Sequence, residues 1–524
     1  MSDPQEFGAR IAEAYAAEGP SLGLGRGVLD GAVVPAAVVQ IPASMCNRHG
    51  LIAGATGTGK TKTLQLMAEQ LSAMGVAVFA ADVKGDLSGL LKPGEPSDRV
   101  TERATDLGVE WAPSGHPVTF LSLGGLGAGV PLRATVSSFG PQLFAKVLGA
   151  NDTQSSSLTL VFDFADKAGL ALLDLADLRA VLQYLTSTDG KADLEGLGGL
   201  SSATAGVLLR KIVELEHQGA EAFFGEPEFE IEDLIRLSSD GQGLINCLEL
   251  SAVQDKPKLF STFLMWMLAQ LYEALPEIGD ADKPKLCFFF DEAHLLFEDA
   301  PKEFVAQVAQ TVRLIRSKGV GVFFITQLPD DVPDDVLAQL GNRVQHALRA
   351  FTPRDAKALK AAVTTYPKSD DYDLEEALTS LGTGEAVVTI LSERGAPTPV
   401  VWTRMLPPTS LMAAVPVDEI VAAAEADSVW PKYAVEIDRE SAREKLAAKL
   451  GVPAAEQPPA EAPPAVDAAP APGPAPAEPA PQEAPRSETK DDNAVVDFLQ
   501  SREGRATINT VTRGALGILK GFLK

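Results

Sequence analysis

The 524-residue sequence predicts an α/β fold: a parallel sheet flanked on both faces by helices. Three observations carry that prediction. Short, wholly apolar runs alternate with amphipathic helical stretches, which is the pattern of strands buried on both faces. One run, Leu51-Ile52-Ala53, enters a glycine-rich turn that opens a helix. Another, Lys285 to Phe290, stops at two adjacent carboxylates.

The first 43 residues form an N-terminal segment, and residues 44–95 read as the first part of the core. There the helix after the glycine turn repeats apolar residues at Leu64, Met67, Ala68 and Leu71, and Val76 to Ala81 reads as a buried strand ending at Asp82. Residues 96–241 are mostly helical in period (Leu158 to Phe164, Leu170 to Leu185, Ala205 to Leu215) and read as a largely helical insertion. The core resumes over 242–410, with a helix through Phe304, Val308, Val312 and Ile315 and a strand at Val320 to Ile325. Two Lys-Pro-Lys stretches, at 256–258 and 283–285, mark solvated starts of elements. A helical extension at 411–451 follows. Residues 452–492 are nearly all Pro and Ala with scattered Glu, cannot bury apolar area, and read as a disordered, semi-extended linker. Residues 493–524 regain helical spacing at Ile508, Val511, Ala515, Ile518, Leu519 and Phe522, with Arg505, Arg513, Lys520 and Lys524 elsewhere on the turn. That is a basic amphipathic tail helix, suited to docking on its own or a neighbouring subunit, with a membrane surface or nucleic acid as alternatives.

A hydrophobic content of 45% supports a large core, and three scattered cysteines suggest neither a disulfide framework nor a zinc site. The start of the chain is acidic where a secretory leader is basic, and no apolar run approaches the roughly 20 residues of a spanning helix. A cytoplasmic protein with no integral membrane association is expected. The formal charge of −26 opposes broad nucleic-acid binding, which depends on Lys and Arg displacing counterions. Any such contact must be a local basic strip.

Gly54-Ala55-Thr56-Gly57-Thr58-Gly59-Lys60-Thr61-Lys62 satisfies the G-x-x-x-x-G-K-[ST] pattern between a strand and a helix. Its glycines let successive N–H groups and the helix N-terminus face the phosphates of ATP. Lys60 supplies charge for the β and γ phosphates, and the Thr61 hydroxyl is placed to ligate Mg²⁺. In Lys285-Leu286-Cys287-Phe288-Phe289-Phe290-Asp291-Glu292, Asp291 would hold the Mg²⁺ shell while Glu292 polarises the attacking water. A glutamate in that position argues for hydrolysis. His294 follows as either a supporting group or a helix cap. Gln327, at the end of the strand through Ile325-Thr326, is a candidate γ-phosphate sensor or a plain loop-entry residue. Phosphoryl transfer gains from a cation placed against the γ-phosphate, often by a neighbouring subunit. Arg316 is the strongest candidate, with Arg313 on the same helix face, and Arg343 is the third.

These stretches resemble the HerA/FtsK superfamily of ring-forming ATPases, and within it the HerA-like bacterial family typified by YjgR. The resemblance rests on residues 54–61, Phe288 to Leu296, Arg313 to Gly321, Thr326-Gln327 and Gln339 to Arg354, with Phe223-Phe224-Gly225-Glu226-Pro227 inside the insertion. It spans about residues 20 to 410. It implies a RecA-like P-loop core, a homo-hexamer with active sites between subunits, the roles given above for Lys60, Thr61, Asp291, Glu292 and Gln327, and Arg316 as the trans-acting finger. It also implies hydrolysis coupled to DNA translocation or unwinding. About 50 residues precede the phosphate loop, room for only part of the N-terminal β-barrel of HerA proper, so a nuclease partnership is not expected. The acidic charge supports a different reading: a machine that remodels or scaffolds proteins, with a partner held by the tail.

Overall fold

The computed structural model describes residues 3–194, 198–279, 281–298, 302–349 and 352–450. The Pro/Ala linker and the basic tail helix lie outside the described residues.

Among the described residues, twelve strands form one sheet. In chain order they are β1 (Ser21–Leu29), β2 (Ala32–Pro42), β3 (Gly50–Ala53), β4 (Ala77–Asp82), β5 (Val118–Leu123) and β6 (Val130–Leu132). The rest are β7 (Ile245–Glu249), β8 (Leu286–Phe290), β9 (Val320–Thr326), β10 (Asn342–His346), β11 (Glu385–Thr389) and β12 (Val401–Met405). Their spatial order is β2-β1-β12-β11-β10-β3-β9-β8-β4-β7-β5-β6. From β10 to β6 every neighbouring pair is parallel, as the apolar runs predict. From β10 to β2 every pair is antiparallel, so an antiparallel half extends the parallel sheet. The N-terminal segment thus contributes two strands to the same sheet as the phosphate loop.

The parallel strands are buried at nearly every position, with Val118 and Arg343 partly exposed, because helices cover both faces. Alternating phenylalanines register the two layers: Phe288 and Phe290 meet Phe79 and Phe324 on one face, while Phe289 stacks on Phe323 on the other. Among the covering helices are α1 (Pro4–Ala14) and α2 (Lys60–Ala73), whose Leu64, Met67, Ala68 and Leu71 are fully buried.

The segment at 96–241 is not helical throughout. It holds α3 (Asp98–Leu107) but then adds β5 and β6 to the sheet edge before its helices begin. Those are α4 (Val136–Val147), α5 (Asp152–Lys167), α6 (Leu175–Thr186), α7 (Thr188–Asp193) and α8 (Ser202–His217). Phe223 and Phe224 then pack edge-on and tilted against Phe139 and Phe144 of α4, and Phe223 meets Phe263 and Trp266 of α9 (Pro257–Ala274). That aromatic cluster seats the helical layer on the core. Later come α10 (His294–Phe297), α11 (Lys302–Ile315), α12 (Asp334–Leu337) and α13 (Pro353–Thr364).

Candidate functional site

The C-terminal ends of β10, β3, β9, β8 and β4 lie side by side, and the residues singled out from the sequence gather there. β9 lies between β3 and β8, so the glycine loop after β3 and the acid pair after β8 flank one crevice, the usual ligand position in α/β sheets.

The loop from Gly54 to Gly59 is pinned at its base and open at its mouth. The Gly54 N–H donates to Thr326 O (3.2 Å), the Ala55 N–H to Ala347 O (2.8 Å), and the Gly384 N–H to Thr58 O (2.9 Å). Gly54, Gly57 and Gly59 have φ of +150°, +78° and +120°, which side-chain-bearing residues rarely adopt. A Cβ at Gly54 would lie 2.5 Å from the Cβ of His346, whereas one at Gly57 would meet open space. The loop therefore packs down onto β10 while keeping a concave face clear. Lys60, the first residue of α2, is buried, and its ammonium donates to the carbonyls of Gly54 (2.7 Å) and Ala55 (3.2 Å). It lies folded against the loop that its chemistry would serve. Thr61 and Lys62 follow, half-buried, in the first turn of α2.

Asp291 and Glu292 sit where β8 leaves the sheet. Asp291 is 1% exposed; its Oδ1 accepts the Glu292 N–H (2.9 Å) and its Oδ2 is buried with no partner. Burial, with the neighbouring Glu292 charge adding, pushes its carboxyl up to about 7 against the pull of Lys84. Glu292 has φ +47°, a strained setting for a side-chain-bearing residue, held by the Ala293 N–H donating to Ile325 O (2.8 Å). Its Oε1 is ion-paired with Lys84, and its Oε2 is buried without a hydrogen bond, 3.3 Å from His294 Nδ1. Burial raises the Glu292 carboxyl, but Lys84, His294 and Lys60 outweigh it and hold the group below its ordinary value.

Glu292 and Asp291 both act on the Lys60 amine; burial lowers its pKa, and the two carboxylates pull the other way. Residues more than two hundred positions apart thus share one charge cluster. The set fits a magnesium nucleotide. The glycine loop offers an open backbone concavity, a lysine rests at its centre, and two buried carboxylate oxygens accept no hydrogen bond, the hard oxygen donors a divalent cation takes. Thr61 and Asp291 are the residues that could hold the metal.

The remaining candidates divide. Gln327 directly follows β9, exposed at the crevice, beside Thr326, whose hydroxyl donates to Asp331 (2.6 Å). Arg313 lies in the last turn of α11 and Arg316 opens the short 3-10 turn that follows it, just before β9 begins. β9 runs from Val320 to Thr326, about 20 Å at ~3.3 Å per residue, so both arginines lie at the opposite edge of the sheet from their own glycine loop. Neither has an ion-pair partner among the described residues. Arg343 is already engaged: its guanidinium donates to Thr365 Oγ1 (2.7 Å) and lies over the Tyr366 ring.

Two residues had no role in the sequence reading. His346 lies fully buried beneath the glycine loop, Nε2 2.9 Å from Thr63 Oγ1 and Nδ1 2.8 Å from Glu385 O. Burial lowers its pKa to about 4, so the ring is neutral; Nδ1–H then donates to the carbonyl and Nε2 accepts from Thr63. It belongs to the quoted Gln339–Arg354 stretch, which was the available signal. The other is Lys84, just past Asp82, whose buried carboxylate accepts the N–H groups of Lys84 (3.1 Å), Gly85 (2.7 Å) and Leu87 (2.8 Å).

A family model described as helicase HerA-like C-terminal matches residues 31–524. No curated protein matches the chain. Among solved structures it is similar to the bacterial conjugative coupling protein TrwBΔN70 in its unbound form, at 17% identity and a TM-score of 0.52, covering 78% of this chain and 94% of that one. The plasmid coupling protein TrwB in complex with ADP and Mg²⁺ gives the same values. Its complex with the ATP analogue ADPNP aligns at 15% identity and a TM-score of 0.51, over the same shares of the two chains. At such identities the likeness is one of fold.

Proposed function

The chain belongs to the helicase HerA-like C-terminal family, and from that premise we propose that it is a magnesium-dependent ATPase whose hydrolysis drives a hexameric motor along DNA. One observation carries the ATPase reading: the glycine loop, Lys60, Asp291 and Glu292 meet in one crevice, where two buried carboxylate oxygens accept no hydrogen bond. The ADP–Mg²⁺ and ADPNP complexes of the similarly folded TrwB support it.

In this reading the backbone N–H groups of residues 54–61 orient the phosphate chain, and Lys60 leaves the Gly54 and Ala55 carbonyls to neutralise it. Thr61 and Asp291 would hold Mg²⁺, which would supply positive charge against the phosphates. Glu292, kept ionised by its cationic neighbours, accepts a hydrogen bond from the attacking water and takes up its proton. Gln327, exposed at the crevice, orients that water. Arg316, and beside it Arg313, faces the wrong edge of its own sheet and so serves the site of the next subunit, which makes the ring part of the catalyst.

DNA is the partner the family name favours, and the net charge of −26 favours the alternative, a protein-remodelling machine. Among the described residues no helix is long and apolar enough to cross a membrane, in keeping with a motor at work in the cytoplasm. The deciding experiment is ATP turnover at low salt with single-stranded DNA, double-stranded DNA and neither. Stimulation by either DNA supports the translocase; indifference to both leaves the protein-partner reading.

A further inference from the structure

The ATPase reading leaves one prominent contact unused, the ion pair between Lys84 and Glu292. Lys84 stands on the short loop after β4, whose backbone is fixed by three N–H groups donated to the buried Asp82 carboxylate. The root of the side chain is therefore fixed while its four-carbon stem, 41% exposed, is free to swing. Its ammonium rests on Oε1 of the carboxylate assigned to the attacking water. A carboxylate held this way is a poor base, because the cation stabilises the form that has no proton. Lys84 also stands close enough to Lys60 for the two positive charges to repel, and Asp291 and Glu292 act on both ammoniums. A terminal phosphate entering between them brings more negative charge than Glu292 and competes for the same ammonium.

Resting on the ATPase reading, we propose that Lys84 is a positioning residue that senses the terminal phosphate. In the nucleotide-free site its ammonium holds Glu292; when a triphosphate is bound the ammonium transfers to the γ-phosphate and releases the carboxylate for water. The same swing cannot occur with a diphosphate, so Glu292 is unlocked only when there is a bond to cleave. This differs from a permanent tether, in which Lys84 would keep the strained Glu292 backbone in place whatever the nucleotide.

Affinity separates the two without relying on turnover. Mg²⁺ with ADP and Mg²⁺ with ADPNP are titrated by calorimetry into the full-length wild type, Lys84→Met and Lys84→Arg, with thermal unfolding recorded alongside. The phosphate sensor requires the preference of Lys84→Met for ADPNP over ADP to fall on the order of tenfold, the usual worth of a charge-assisted hydrogen bond, with ADP affinity nearly unchanged. Lys84→Arg, which keeps the charge, restores most of the preference and serves as the test if the methionine variant does not fold. An unchanged preference, or equal losses for both nucleotides, overturns the sensor while leaving the ATPase intact. A wild type that binds neither nucleotide overturns both readings.

Discussion

Replacing Asp291 by Asn should stabilise the nucleotide-free, magnesium-free protein, and by more as the pH rises. In the fold its carboxyl is lifted by burial from 3.8 to about 7, so the native state holds that proton more tightly than the unfolded chain does. The stability contributed by that proton is complete below pH ~4 and is lost as the pH climbs through about 7. At about 1.4 kcal/mol per decade of proton affinity, ionised Asp291 costs the empty fold about 4 kcal/mol at pH 8 and under about 2 kcal/mol at pH 5. Asparagine escapes this charge, but its own buried amide costs about 1–2 kcal/mol where Oδ2 now lacks a partner. A net gain of about 2–3 kcal/mol is expected at pH 8 and almost none at pH 5. Asp82 and Glu249, lifted by burial to about 6 and about 8, drift in the same direction but are common to both proteins. Urea unfolding with a chelator present, at intervals from pH 5 to pH 8, measures the gap. A gap that does not widen with pH, or a variant less stable than wild type at pH 8, refutes the reasoning. Adding Mg²⁺ and ADPNP should stabilise the wild type far more than the variant, because the metal selects the ionised aspartate.

Lys60→Ala should abolish tight nucleotide binding, whereas Glu292→Gln should bind normally and lose turnover on the order of a hundredfold or more; a rapid Glu292→Gln enzyme would remove the residue from its role. Gly54→Ala should destabilise by about 2 kcal/mol or more, since its Cβ would fall 2.5 Å from that of His346; a normal melting temperature would count against the described loop packing. Arg316→Ala should keep nucleotide affinity but slow turnover, and mixing it with Lys60→Ala subunits should restore activity; mixtures no better than the average of their parts would rule out action in trans.

The sequence discloses those parts of the site whose chemistry demands a local pattern. Glycines at fixed offsets before Lys60, and an apolar run ending in Asp291-Glu292, are readable because each is complete within one strand and one turn. Arg343 illustrates the limit: its spacing marks a candidate finger, but nothing in it shows that Thr365 and Tyr366 occupy its guanidinium. The contact of Lys84 with Glu292 and the burial of His346 beneath the glycine loop depend on sheet order, and strand adjacency is not encoded in periodicity. β5 and β6 were hidden for a related reason, being short strands inside a stretch dominated by helical spacing. Within the antiparallel half the β1–β2 hairpin closes on a local signal, Asp30-Gly31, whereas pairings such as Gly25 with Met405 join segments from far apart with no turn between them.

That last pairing bears on how the protein is made. The first strand is synthesised long before its neighbour β12, and Tyr15 waits equally long for the carbonyls of Val388 and Pro399 that its hydroxyl joins. At ribosomal speeds of about 5–20 residues per second, the nascent β1–β2 ribbon trails from the tunnel for tens of seconds with one edge unpaired. Such an edge invites pairing with other chains, so messages cut short before codon 405 should yield aggregates rather than a smaller working enzyme.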